Sequence, residues 1–213
     1  HALPVFEEFG VRGTCFVIPD FVGMEQDGFM SQQQIDNFAY LYGWGIGGHD
    51  WMNLTELPLE HSPNDPSWVY TLDESIQRNK EYFTKHPYPG KDCYAIPYGL
   101  YNDKVTETIS KYYTYIRPHN DLSQPSGFIS PCSINSHIVY GSLPFEEIQR
   151  WIHNAKENYD WVILVMHRIV PNPRPGIETE NSVEFLRQIL DYTLNIEEME
   201  VLPFHEALEI YFP

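Results

Sequence analysis

Residues 43–57 read GWGIGGHDWMNLTEL. The GIGGH run, residues 45–49, reads as a short strand that ends on His49, with Asp50 directly after it. Four residues past His49, where a second metal-binding histidine would stand, the chain has Asn53. Three readings are open for this stretch: the metal site of a hydrolase, the remnant of one, or a turn that contains a histidine.

Outward from it, helix and strand patterns alternate. ALPVFEEFG reads as a helix stopped by Gly10, and RGTCFVIP as a buried strand stopped by proline. Ser31 caps QQQIDNFAYLYGW, whose Ile35, Phe38, Ala39 and Tyr42 share a helical face. Residues 54–70 form a proline-rich loop. Thr71 and Glu74 then make a capping box for LDESIQRNKEYFTKH. KDCYAIP is a strand, and NDKVTETISKYY a helix with Asn102 or Asp103 near its start. YTYIRP, SHIVYGS, the fully apolar DWVILVMH and EMEVLPF read as further strands. LPFEEIQRWIHNAKEN, SVEFLRQILDYTLN and HEALEIYF read as helices, with His205 at a cap.

Such alternation implies an α/β fold with a largely parallel sheet, either open or closed into a barrel, and one domain over 1–213. His49, Pro97-Tyr98 and His167 each stand at the C-terminal end of an expected strand. In parallel α/β folds chemistry collects at that edge, because the loops there converge.

The chain carries 30 acidic against 13 basic residues, a formal charge of −17. A field of that sign repels phosphate backbones and anionic membrane surfaces, so nucleic acid is not an expected partner. No apolar run reaches membrane-spanning length. Cys15, Cys93 and Cys132 lack CxxC spacing, and Cys15 and Cys93 sit in apolar runs that favour buried free thiols. HALPVFEEFG is helix-like from its first residues and no leader precedes it, so a processed or truncated product is expected. A serine hydrolase of the GxSxG kind is not supported, since that motif is absent.

The order of segments resembles that of the polysaccharide deacetylases, carbohydrate esterase family four. ALPVFEEFGVRGTCFVIP is similar to the family's first helix and second strand. MSQQQIDNFAYLYGWGIGGHD resembles its helix leading to the first metal histidine, and AIPYGLYNDKV the alanine variant of its proline-tyrosine-glycine motif. WVILVMHRIV and VLPFHEALE resemble the late strand and the closing segment. The resemblance implies a distorted (β/α)7 barrel, a divalent metal (zinc as a rule), and removal of acetyl groups from a carbohydrate polymer or oligosaccharide. It also implies an extracellular or cell-envelope setting.

By the same resemblance His49 is a metal ligand, the backbone N–H of Tyr98 holds the oxyanion, and His167 is the general acid that protonates the departing amine. Asn53 and Asp50 are the remaining candidates for the metal, and Pro97, Trp51 and His119 are candidates for substrate contact. Trp68 and Tyr70 are further aromatic candidates for stacking on a sugar ring. His119 and Asp121 have a polar loop as their plainer account. Chelation by His1 and glycosylation of the Asn53 sequon are less favoured than a chain end and a coincidence.

Two departures bear on activity. The family's aspartate pair lies on a strand ahead of the segment at which this sequence begins. Its second histidine is replaced by Asn53, and amide oxygen is a poor zinc ligand. The expectation is therefore a deacetylase-like domain of impaired activity, with N- or O-deacetylation open. The alternative is a catalytically silent carbohydrate-binding or structural domain of the same fold. A barrel short of one strand exposes unpaired edges, so an oligomer or another chain is expected to cover the gap.

Overall fold

The computed structural model describes residues 1–24, 28–61, 70–118 and 130–212. The chain divides into two compact units. The first spans residues 1–13, 120–129 and 135–202, and the second spans 14–119, 130–134 and 203–213.

The second unit is built on a four-stranded parallel sheet in the order β1 (Thr14–Val17), β2 (Gly45–His49), β3 (Cys93–Ala95), β4 (Tyr115–Arg117). Register pairs Val17 with Gly48, His49 with Ala95, and Ala95 with Arg117, so the C-terminal ends lie level. Between the strands run α2 (Gln32–Asp36), α3 (Leu72–Lys85) and α4 (Asp103–Ser110). Ser31 and Gln34 close a capping box at the start of α2, which opens into a π-helical turn over Asn37–Leu41. Thr71 and Glu74 do the same for α3, a device whose loss typically costs about 1 kcal/mol. For α4 the cap is Asn102, whose side chain accepts from Val105 N–H. Leu72, Ile76 and Phe83 of α3 pack with Ile46, Tyr94, Ile109 and Ile116 in the unit's core.

The outer edge of β4 is closed by residues 130–134: Ile116 N–H donates to Pro131 O and Ile134 N–H to Ile116 O. β1 is the other terminal strand, and its first three residues are only half-buried. The helix α7 (Phe204–Tyr211) also belongs to this unit. Its cap position is Pro203 rather than His205, whose ring lies in the first turn beside Gly45.

The first unit carries two parallel pairs, β5 (His137–Ile138) with β6 (Leu164–Val165) and β7 (Arg168–Val170) with β8 (Glu180–Ser182). Its helices are α1 (Ala2–Phe9), α5 (Phe145–Asn158) and α6 (Val183–Leu194). Gly10 ends α1 in the left-handed region at φ 67°, as the sequence implies. Val5 of α1 packs with Leu186 and Leu190 of α6. Ile148 and Ile152 of α5 pack with Val139 and Ile189 in a separate cluster.

The parallel α/β expectation is met. Several details are corrected. DWVILVMH is a strand over Leu164–Val165, with an isolated bridge at Trp161, and is half-buried rather than enclosed. EMEVLPF forms no strand: Glu198 takes φ 67°, a turn conformation, and Pro203 has no N–H to give a ladder. β7 and β8 are additional, and β8 is the polar run Glu-Asn-Ser, which shows no apolar alternation. Among the described residues no strand pairing closes a barrel. The three cysteines are free. Cys93 is buried as expected, whereas Cys15 is of intermediate burial, its thiol nonetheless pushed up to about 12 by desolvation.

Candidate functional site: a histidine corner at the edge of a parallel sheet

The glycines of GWGIGGH follow from crowding. A Cβ on Gly47 would stand 2.7 Å from the Phe16 ring, and one on Gly48 would stand 2.6 Å from Asn79 Oδ1 and 2.7 Å from the Tyr113 hydroxyl. Side chains at these positions would push β2 off its neighbours. The strand is thus driven into the unit with its first four residues buried, and His49 emerges half-buried at its end.

The His49 ring is held by its own sheet. Its Nδ1 lies 2.8 Å from Ala95 O, the residue in register on β3. A carbonyl only accepts, so Nδ1 carries the proton in the neutral ring and the lone pair is on Nε2. This tautomer suits metal ligation or acceptance of a proton. Behind the ring, the His49 carbonyl accepts from Asn79 Nδ2 at 2.5 Å, and Asn79 Oδ1 accepts from the Tyr113 hydroxyl at 2.6 Å.

Asp50 turns inward and is buried. Its Oδ1 accepts from Trp51 N–H at 2.8 Å and its Oδ2 from the Ser75 hydroxyl at 2.8 Å. Burial, as the dominant influence, raises its pKa. Hydrogen bonds from Ser75, Trp51 and Met52 pull the other way, and the charge of Asp20 adds to the rise. Each oxygen thus already serves a bond within the fold. Asn53 is likewise engaged: it caps the 3-10 turn Leu54–Glu56, its Oδ1 accepting from Thr55 N–H and hydroxyl while its Nδ2 donates to Glu56.

Beside this corner, β3 runs into the turn Pro97–Gly99. Pro97 is buried, and Tyr98 sits at φ 57° with its side chain exposed. A non-glycine residue in the left-handed region is held there by its surroundings. Here the Tyr98 hydroxyl donates to Trp51 O at 2.9 Å, tying the two corners together. The half-exposed Trp51 ring stacks on Phe21, with centroids 6.1 Å apart and planes 27° apart, and Phe21 in turn meets Phe29. Arg117, in register with Ala95, supplies a buried cation at this strand level. Desolvation holds its pKa down to about 10, and its guanidinium lies 5.1 Å from the centre of the Phe16 ring.

His49, Asp50, Trp51, Asn53, Pro97 and Tyr98 therefore all belong to the second unit, and its level strand ends gather the histidine corner and the proline-tyrosine turn. Within the first unit His167 is exposed, two residues past β6 and directly before β7. His119, Asp121 and Trp68 lie outside the described residues. Tyr70, by contrast, is covered by the guanidinium of Arg78 at 4.0 Å.

Ser75 and Asn79 support the corner and are absent from the sequence reading. Their signal is periodicity: they stand at i+3 and i+7 from Leu72, on the buried stripe that also contains Ile76 and Phe83. Polar residues on such a stripe have partners to find.

The donor set does not fit a divalent metal on the described residues alone. Zinc takes four ligands drawn from imidazole, thiolate and carboxylate. Among the described residues no group of three or more His, Cys, Asp or Glu side chains could hold an ion.

No family model matches the sequence, and no curated protein matches it. Among solved structures, the chain is similar to the Xyl-CE4 domain of a multidomain xylanase from the hindgut metagenome of Trinervitermes trinervoides. The TM-score is 0.57 at 16% identity, over 98% of this chain and 82% of that one. The two share a fold. No described helix is long and apolar enough to cross a membrane.

Proposed function

We propose that the chain is a domain of polysaccharide deacetylase type, carbohydrate esterase family four, that engages a carbohydrate polymer and whose removal of acetyl groups is impaired to near the protein-free rate on the residues it carries. One observation carries this reading. In a fold shared with a Xyl-CE4 domain, the fixed His49 imidazole and the strained Pro97-Tyr98 turn occupy adjacent strand ends of one parallel sheet.

In this reading the two units are parts of a single (β/α)7 domain, a view supported by likeness over nearly the whole chain. The half-exposed Trp51 ring, backed by Phe21, gives a sugar a face to stack on, and buried Pro97 shapes the floor beside it. The backbone N–H of Tyr98 would stabilise the oxyanion as an acetyl carbonyl is attacked. His167 would protonate the leaving group. Water activation is the missing part. The family assigns it to a metal and an aspartate, and the described residues offer neither a fitting ligand set nor an uncommitted carboxylate at this corner.

The silent, carbohydrate-binding reading is favoured by the same facts, since Asp50 and Asn53 both have their polar atoms engaged within the fold. Two assays on one preparation separate the readings. Isothermal titration with N-acetylglucosamine oligomers and with acetylated xylan measures engagement, and acetate release from the same two substrates with added zinc measures chemistry. The expected result is binding to one of the two polymers with acetate release near the protein-free rate. Absence of binding to both would end the proposal. Zinc-dependent turnover would end its second half, and the substrate turned over would distinguish amide from ester cleavage. The family setting, outside the cell or in its envelope, is part of the same proposal.

A further inference from the structure

The first unit contains a pocket that none of these roles uses. Gly141, Leu143, Pro173, Asn181, Ser182 and Phe185 line an open cavity of about 180 Å³. Three segments make its walls, and each is tied in place. Gly141 N–H donates to Glu178 O at 2.8 Å, and Ser142 donates through both its N–H and its hydroxyl to the Glu178 carboxylate. Arg174 clasps the β7–β8 loop to the buried Glu180, its guanidinium donating to Oε1 at 3.0 and 2.7 Å and its N–H to Oε2 at 2.9 Å. Gly141 itself approaches so closely that a Cβ there would stand 2.5 Å from Glu180 O.

Asn181 is the residue without an account. It is 1% exposed, and neither its Nδ2 nor its Oδ1 has a partner among the described residues. Its neighbour Ser182 is already engaged, accepting from Phe185 N–H at 2.9 Å as the cap of α6. Buried side-chain amides are almost always hydrogen-bonded, because leaving one unpaired destabilises the fold. A carboxamide kept in that state beside a cavity is suited to a partner that arrives from outside.

We infer that this pocket binds a neutral polyol, with a pyranose ring as the ligand. None of the six lining residues is charged, and the neighbouring carboxylates Glu178 and Glu180 are paired and would repel an anion. The carboxamide offers one donor group and one acceptor side by side, which matches a pair of adjacent hydroxyls, each able to give and to take. Leu143, Pro173 and Phe185 supply apolar surface for the C–H face of a ring. The volume exceeds the roughly 30 Å³ of a single water and lies below the roughly 300 Å³ at which drug-sized pockets begin, which limits the occupant to a single small ring. The inference stands apart from the proposed function, since it uses no residue of the His49 corner and its test reads binding without acetyl release.

The test is ligand-observed NMR on the whole chain with D-glucose and D-xylose. Acetamide serves as the carboxamide probe and acetate as the anionic one. The variants are Asn181→Leu and, at the exposed rim, Pro173→Trp, which blocks the mouth without touching the amide. The expected result is saturation transfer to a sugar in the parent chain, weakened at least tenfold in both variants. Asn181→Leu should melt no lower than the parent and up to about 2–4 °C higher, as expected for about 1 kcal/mol in a chain of this length. Tighter binding of a xylo-oligomer than of xylose would support a polymer as the source of the ring, and equal binding a free sugar. Preference for acetamide or acetate, sugar binding undiminished in Asn181→Leu, or no binding of any probe would overturn the inference.

Discussion

Asn79 and Asn181 are both buried amides, and the fold treats them in opposite ways. Asn79, on the core stripe of α3, gives its Nδ2 to the His49 carbonyl and takes the Tyr113 hydroxyl on its Oδ1. The Asn181 side chain, in the polar strand β8, gives and takes nothing among the described residues. The first amide completes an internal structure, the backing of a histidine corner. The second stands with its side chain unpaired beside a cavity. Burial treats the two alike; their hydrogen bonding sets them apart.

Substitution by leucine should break that comparison most sharply. Asn79→Leu strands a carbonyl and a phenol in the core, each about 1–3 kcal/mol to leave unmatched, so a loss of about 3 kcal/mol in urea unfolding is expected. Asn181→Leu should lose nothing. Equal losses at the two sites would mean that Asn181 has a partner of its own.

Crowding behind His49 gives the next effect. Gly48→Ala places a methyl 2.6 Å from Asn79 Oδ1 and 2.7 Å from the Tyr113 hydroxyl, and should cost about 1–3 kcal/mol by overpacking. Coupling to Asn79 should be visible in a double-mutant cycle, because the two substitutions disturb the same contact. Additive losses would show that the strand moves instead. Thr71→Ala, which removes the cap of the helix that carries Ser75 and Asn79, should cost about 1 kcal/mol in thermal unfolding while leaving the His49 ring signals in place.

The smallest effect is a pH dependence. Burial raises the Asp50 pKa, so between the unfolded value, about 3.9, and the higher folded value the native state binds more protons than the unfolded chain. Its contribution to stability therefore falls as pH rises through that window. Asp50→Asn should flatten the pH profile there, while the ion-paired Glu180, whose pKa is lowered chiefly by Arg174, keeps its loss of stability toward acid. An unchanged profile in Asp50→Asn would contradict the burial assigned to that carboxylate.

What was legible in the sequence was local. The capping boxes at Ser31 and Thr71, the stop at Gly10, the strand ending at His49 and the turn at Pro97 each depend on a few neighbouring residues, and each stands where the pattern puts it. What stayed hidden was non-local. Nothing in GIGGH tells that its glycines make room for Phe16, Asn79 and Tyr113. Nothing in Glu-Asn-Ser marks a strand, since its support comes from pairing with β7 and from the Arg174 clasp. The inward turn of Asp50 was equally unreadable, because Ser75, its hydroxyl donor, lies twenty-five residues away.

The central claim is that the corner around His49 engages a polysaccharide while lacking the means to activate water. Acetate release from N-acetylglucosamine oligomers, measured with saturating zinc on the chain as it stands, tests that most directly. The account predicts a rate indistinguishable from the protein-free control. Zinc-dependent turnover that disappears on His49→Ala would contradict it.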